Sequence, residues 1–467
     1  MKWLLFLGVF MSLHSQNKQL LYGFKEVPQQ LHLNPGGQVD YRGYSGVPLL
    51  SHIHLNAGIT GFSAFDIFAD DGRDFNQKIR EVSYSMDSKD FVVVNQQLDI
   101  FSAGFSVNTS LEDKLFVSFG MYQESDIFSY FPKDYAVLAN EGNHNNLNRL
   151  FDLGQLSVSA EVLSVFHLGV NKKINSKWTL GVRGKVYSSI AQVSSTDNIG
   201  SFITIPGANN NLKHVFDLDM KLQTSGISSL REPNASNELE VLKKRLLFGG
   251  NLGVGIDLGF THQPAPEWTI DASLQDIGFI NYSKDIKTYI LDGYLEYDGI
   301  QSVFPQIVSG QTAQDYWDEV QKDFEDLVEI DSTTTSYTKW RPIELNSSVS
   351  YNFGRKLDKE CNCLDQSDPA FQNRVGAHLF AMKRPNHLQW ALSLFYYRRF
   401  YKNLQLKTTY TVDEFSFTNF GLGMSAALGP VQFYIMADNL LEYQNLAKSQ
   451  SVSLQLGFNY IFKNNEN

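Results

Sequence analysis

The sequence predicts an all-β chain closed as a transmembrane antiparallel β-barrel of roughly 14–16 strands, with long extracellular loops and an N-terminal segment that is a candidate plug. Three observations carry this. Apolar and polar residues alternate over runs of about 10 to 12 residues, about twice the usual length of a soluble strand. Aromatic residues make up 13% of the chain and charged residues only 19%, yet the mean hydropathy is −0.24. Beyond the first residues, no apolar run of about 18 residues is present to cross a bilayer as a helix. A barrel reconciles these features, because its lipid face is apolar and its lumen face polar, so the average conceals the membrane face.

The start of the chain reads as a signal peptide over residues 1–15. Lys2 precedes an uncharged apolar run at residues 3–13, and cleavage is expected after Ser15. A buried N-terminal strand is the alternative. No cysteine follows closely, so no lipoprotein anchor is expected. Residues 16–46 contain Pro28, Pro35, Gly36 and Gly37 and form either a periplasmic tail or a plug, with Asn34, Pro35 and Gly36 as candidate plug residues. The barrel is expected over 47–462, followed by a tail at 463–467.

The alternation is clearest at the end. Val452, Leu454, Leu456, Phe458, Tyr460 and Phe462 alternate with Ser453, Gln455, Gly457 and Asn459. Similar runs begin at Trp178, Leu252, Leu404 and Phe420. Charges on their minor face are costly against lipid, so Arg183, Lys185, Asp257, Asp271 and Lys407 are candidate lumen-facing residues. Short turns at 175–177, 402–403 and 429–430 contrast with links at 60–96, 124–155, 225–245 and 281–341, and 356–373 is a longer link on the short-turn side. The count comes to about sixteen strands, with fourteen as the alternative; the hairpin at 194–224 decides between them. Within the last long link, residues 314–330 carry Trp317, Val320, Phe324, Leu327 and Val328 at helical spacing. This predicts a short acidic helix, either a cap on the barrel mouth or a helix that docks a partner.

The net charge of −11 argues against nucleic acid as a partner. The two cysteines, Cys361 and Cys363, have the wrong spacing for a zinc knuckle and form a local disulfide or stay as thiols. Asp70, Asp71, Gly72 and Asp74 do not match an EF-hand and read as an Asx-rich turn. His52 and His54 share one face of a strand without a third metal ligand and read as lumen-facing polar residues. Neither a Gly-x-Ser-x-Gly elbow nor a phosphate-cradling glycine loop occurs. No catalytic residue, cofactor or metal is expected, and the chain reads as a non-enzyme.

Several stretches resemble a family of Bacteroidota outer-membrane barrels known only as a domain of unknown function. They are Gly23-Phe24 through Leu33-Asn34-Pro35-Gly36, Gly46-Val47-Pro48-Leu49-Leu50-Ser51, Phe68-Ala69-Asp70-Asp71-Gly72 with Asp74-Phe75-Asn76, Phe119-Gly120-Met121-Tyr122-Gln123-Glu124, Tyr130-Phe131-Pro132-Lys133-Asp134 and Glu141-Gly142-Asn143. More loosely, the chain is similar to FadL-type and PorP/SprF-type barrels. The resemblance implies a barrel in the bacterial outer membrane, with membrane lipid around it, and no catalytic residues. The ending Asn459-Tyr460-Ile461-Phe462 resembles the signal read by the barrel-assembly machinery, although a polar tail follows the Phe. Two functions are expected: a passive channel or transporter for small molecules, hydrophobic ones included, or a scaffold barrel with partners in an envelope secretion, gliding or assembly complex.

Overall fold

The structure is a computed structural model that describes residues 18–107, 114–207, 212–230, 238–298, 331–355, 371–401 and 403–463. The expected signal peptide, the expected acidic helix with Trp317, Val320, Phe324 and Leu327, the Cys361 and Cys363 pair and nearly all of the C-terminal tail lie outside the described residues.

In chain order the strands are β1 (Gly43–Gly46), β2 (Ile53–Ile59), β3 (Phe91–Ser106), β4 (Leu115–Tyr130), β5 (Leu150–Asp152), β6 (Val158–Lys173) and β7 (Trp178–Ser195). Next come β8 (Ile199–Pro206), β9 (Leu212–Ser225), β10 (Asn251–Ala265), β11 (Trp268–Tyr282), β12 (Ile286–Asp298), β13 (Asp331–Thr333) and β14 (Tyr337–Trp340). The last are β15 (Glu344–Arg355), β16 (Phe371–Lys383), β17 (Leu388–Tyr401), β18 (Leu404–Asp413), β19 (Asn419–Leu428), β20 (Val431–Ala437) and β21 (Ser451–Phe462).

These strands close a 14-strand antiparallel barrel. β1 and β2 are two halves of its first strand, since both pair with β3 on one side and β21 on the other. β14 and β15 likewise share one position beside β11. From there the ring runs through consecutive neighbours to β21. Among the described residues, no helix is long and apolar enough to cross a membrane.

Side-chain direction follows the pleat. On β17, Leu392, Leu394 and Tyr396 are exposed on the outer face while Ser393 is buried within. On β19, Phe420 and Leu422 face out beside buried Asn419. Aromatic residues mark the outer face near the short turns, among them Phe105, Trp268, Tyr351, Phe400 and Phe462. The turn before β7 is closed by Asn175, whose Oδ1 accepts the amides of Lys177 and Trp178 at 2.9 Å.

The count of sixteen is corrected to fourteen. The hairpin at 194–224 does not enter the wall. It becomes β8 and β9, which pair with each other, with β5 and with β12 in a sheet that rises from the rim. Residues 192–194 of β7 pair with 223–225 of β9 where that sheet leaves the barrel. One face of it packs a small apolar core of Val137, Phe151, Leu153, Phe202 and Leu218. A sheet covering its own core shows the same alternation as a membrane strand, so periodicity could not separate the two.

Other boundaries also move. β3 starts at Phe91 and β4 reaches Tyr130, inside stretches expected as links. There the inward residues Phe91, Val93, Phe128 and Tyr130 form an apolar cluster with Phe415, so both faces are apolar and the polar half of the pattern is lost. The link expected at 281–341 contains β12, β13 and β14. The first strand begins at Gly43 rather than 47, because the short β1 is too small to show an alternation.

Arginine on the outer face has no lumen to reach. Leu394→Arg, at the middle of β17, is expected to destabilise the barrel by roughly 2–4 kcal/mol in denaturant unfolding from lipid vesicles. A change well under 1 kcal/mol would place β17 outside the lipid belt.

Candidate functional site

The lumen is filled by the chain's own start. Residues 18–41 pass between the walls and are mostly buried. The local fold is a succession of tight turns, in which the amides of Phe24, Val27 and Gln30 donate to the carbonyls of Leu21, Phe24 and Val27. Pro28 opens a 3₁₀ turn over Pro28–His32, where its missing N–H is not needed. Leu20, Leu21, Tyr22, Phe24, Val27 and Leu33 pack against Tyr397 of β17 and Tyr434 and Met436 of β20.

Such a segment leaves many carbonyls without partners, and a buried carbonyl needs a donor. The wall supplies them. Lys407 of β18 donates to the carbonyls of Gln19 and Tyr22 at 3.0 and 2.7 Å. Arg374 of β16 reaches the carbonyl of Gly23, and Gln432 of β20 that of Glu26 at 2.6 Å. Arg183 of β7 donates to the carbonyls of Leu31, at 2.8 Å, and His32. Ser273 and Gln275 of β11 share the Leu33 carbonyl. Asn171 of β6 bridges the carbonyls of Pro35 and Gly37 at 2.8 Å each, and Thr261 of β10 takes that of Gly36. Lys114, just before β4, holds the carbonyls of Val39 and Tyr41.

Backbone meets backbone at the Asn34-Pro35-Gly36 corner. Asn34 Oδ1 accepts the Gly36 amide at 2.8 Å, forming an Asx turn. A Cβ on Gly181 would lie 2.0 Å from the Pro35 oxygen, and one on Gly259 would lie 2.1 Å from Asn34 Oδ1. The two wall glycines are therefore needed to admit the corner.

Around this segment the lumen carries ion pairs. Arg183 bonds Asp257 at 2.6 Å; Lys185 bridges Asp257 at 3.1 Å and Asp276 at 2.6 Å. Tyr187 donates to Asp276, and the Asp276 amide donates to Asp257. Arg341 joins Glu124 and Glu161. Removing one member of such a buried set leaves its partner's charge uncompensated, at a cost of about 3–5 kcal/mol. On the segment itself, Glu26 accepts from Tyr397 and Arg399 at 2.7 and 2.6 Å. Burial opposes its charge, but Arg399 and Lys25 outweigh burial and hold the carboxyl below its usual range. His32 lies 3.3 Å from Asp99 and edge-on to His167. Burial, joined by Arg183, Lys18 and Lys185, pushes its imidazole well below the ordinary histidine range.

Lys18 also borders a polar cavity of about 80 Å³, enough for a few waters. Glu124, Asp126, Arg341, Glu344 and Arg384 border it.

The expected lumen residues thus fall into two groups. Arg183, Lys185 and Asp257 form one network; Lys407 stands apart at the start of the segment, and Asp271 accepts from Ser348 at 3.1 Å. Sequence reasoning missed Asp276, Arg341, Asn171 and Arg374. Asp276 was hidden because a bulge in the β10–β11 ladder and its positive φ of 57° turn both Gln275 and Asp276 inward, breaking the alternation. His52 and His54 are buried, and His52 Nδ1 lies 2.7 Å from the Tyr434 hydroxyl. Asp74 caps the helix Phe75–Ser85 through the amides of Asn76 and Gln77, and Asp71 pairs with Arg73 and Lys78, which is turn chemistry. Among the described residues no cluster of three His, Cys, Asp or Glu is placed to hold a metal.

Gly181→Ala drives a methyl into the Pro35 carbonyl without touching a charge. The variant is expected to fold as a barrel but to lose the docked segment, read as faster tryptic cleavage at Lys25 than in the parent. Unchanged cleavage would show that the corner does not govern docking.

Residues 35–438 match the model of a family described as a family of unknown function, DUF5723. A search of curated proteins finds no match. Among solved structures, the Pseudomonas putida toluene transporter TodX is 9% identical, with 97% of this chain and 95% of that one covered and a TM-score of 0.39. A Pseudomonas aeruginosa FadL homologue is also 9% identical, with the same coverage and a TM-score of 0.40. The siderophore receptor PirA from Pseudomonas aeruginosa is 8% identical, with 89% and 81% covered and a TM-score of 0.17. With most of its length matched by the family model, the chain belongs to the DUF5723 family.

Proposed function

We propose that this protein is a passive outer-membrane channel for small amphipathic molecules, closed at rest by its own N-terminal segment. The observation that supports this is the nature of the seal. Beside the apolar packing of Leu20 to Leu33, wall side chains hold residues 18–41 through hydrogen bonds to backbone carbonyls. Water and a polar solute offer the same bonds, so this part of the seal is exchangeable. Displacing it bares Tyr397, Tyr434 and Met436 beside the charged wall, a surface with an apolar and a polar side. In this reading the short turns face the periplasm and the sheet above the rim faces outward, as bacterial barrels are arranged. The barrel-assembly machinery inserts the chain, lipid surrounds it, and no chemical step is catalysed. PorP/SprF-like scaffolding in a Bacteroidota envelope is the second reading, favoured by how completely the lumen is filled.

Planar-bilayer conductance separates the two. The full-length barrel is expected to conduct little, and deletion of residues 18–41, which leaves β1 intact, is expected to raise conductance severalfold. No conductance from either form would reject the channel and favour the scaffold.

A further inference from the structure

The outer face of the barrel is not uniformly apolar. Gln97 is buried in the lumen, and Glu124 and Asp126 make ion pairs there with Arg341 and Arg384. Their neighbours along β3 and β4, Gln96, Gln123 and Ser125, therefore point outward and are partly exposed. Gln96 stands opposite Ser125 and accepts its hydroxyl at 3.4 Å. The row continues by register, with Gln123 opposite Ser164 of β6 and Ser164 opposite Ser188 of β7. Exposed Val92, Val94 and Ile127 lie on its rim side, and Phe101, Phe119 and Leu168 on its short-turn side. The row is thus within the lipid-facing belt. On β17 the outward residues Leu388 to Tyr396 are apolar without a break.

Half of the row is already covered by the chain. Ser164 and Ser188 are wholly inaccessible beneath residues 245–249, where Ser188 donates to the Arg245 carbonyl at 2.6 Å and Phe248 stacks on Phe166 at 3.9 Å. Phe248 holds a left-handed φ of 70°, an unfavourable conformation for an aromatic residue, to make that cover. Gln96, Gln123 and Ser125 lie just beyond it and have no such cover among the described residues. Amides facing hydrocarbon are costly unless hydrogen-bonded.

We propose that this open half is the contact through which two copies of the barrel pair side by side in the membrane. The row carries no charge, so it selects no oppositely charged partner. Each Gln amide is both donor and acceptor, and a two-fold axis would set Gln96 and Gln123 against the same residues of a second copy, satisfying both surfaces at once. The 245–249 cover shows the mode on a smaller scale, with protein rather than lipid seated on the same row.

The test uses the barrel in lipid nanodiscs and vesicles, with Cys361→Ser and Cys363→Ser as background. Gln123→Cys is expected to cross-link to a dimer under mild oxidation, while Leu394→Cys on the far wall is not. Gln96→Leu with Gln123→Leu is expected to shift the particle from dimer to monomer mass, with the heat-modifiable band of the folded barrel retained. A monomeric parent, with Gln123→Cys cross-linking no more than Leu394→Cys, would overturn the proposal. So would cross-linking only to a different protein.

Discussion

The structure depends on one constraint: an irregular peptide lies in the lumen, and each of its carbonyls has to find a donor there. A helix or strand satisfies its own backbone; residues 18–41, built of single turns, do not. The wall answers with long or branched donors whose side chains reach inward from strands around the ring. Arg183 shows the economy of this arrangement. Its guanidinium has five N–H groups in a fixed fork, and it spends them on Asp257 and on two successive carbonyls, Leu31 and His32. Lysine could not span that set, which explains an arginine at the most crowded point and lysines where one head group turns between neighbouring carbonyls, as Lys407 does.

The charge pattern follows from the same constraint. Four of the wall donors that serve carbonyls, Arg183, Arg374, Lys407 and Lys114, are cationic, so the lumen needs anions to balance them. Asp257 and Asp276 sit between Arg183, Lys185 and Arg341, and Glu26 brings a carboxylate on the segment itself to Arg399. Bulges and glycines then adjust the wall to the segment. The β10–β11 bulge brings Asp276 inward, and the bare backbone at Gly181 and Gly259 admits the Asn34-Pro35-Gly36 corner. The lumen has been shaped as a binding site for a peptide, not left as a tube that a loop happens to enter.

Much of this was legible in the sequence, and the limits are physical. Period-two alternation marked β7, β10, β18, β19 and β21, because one of their faces meets lipid and the other a polar lumen. It failed at the rim ends of β3 and β4, where Phe91 and Phe128 face an apolar cluster, and at β8 and β9, which cover a separate core. Arg183, Lys185, Asp257 and Lys407 stood out as charges on a membrane strand. Asn171, Thr261, Ser273 and Gln432 did not, since small polar residues are ordinary on any lumen face. What distinguishes them is a carbonyl on a segment hundreds of positions away, or more than a hundred at the least, and no local pattern carries that information.

Hydrogen exchange read by mass spectrometry on the intact barrel tests the central claim most directly. If the wall holds residues 18–41 through their carbonyls, the turn amides of Phe24, Val27, Gln30 and Leu33 will exchange as slowly as those of the neighbouring strands. Exchange at the rate of an unstructured peptide would contradict it, and would mean that the segment does not occupy the lumen.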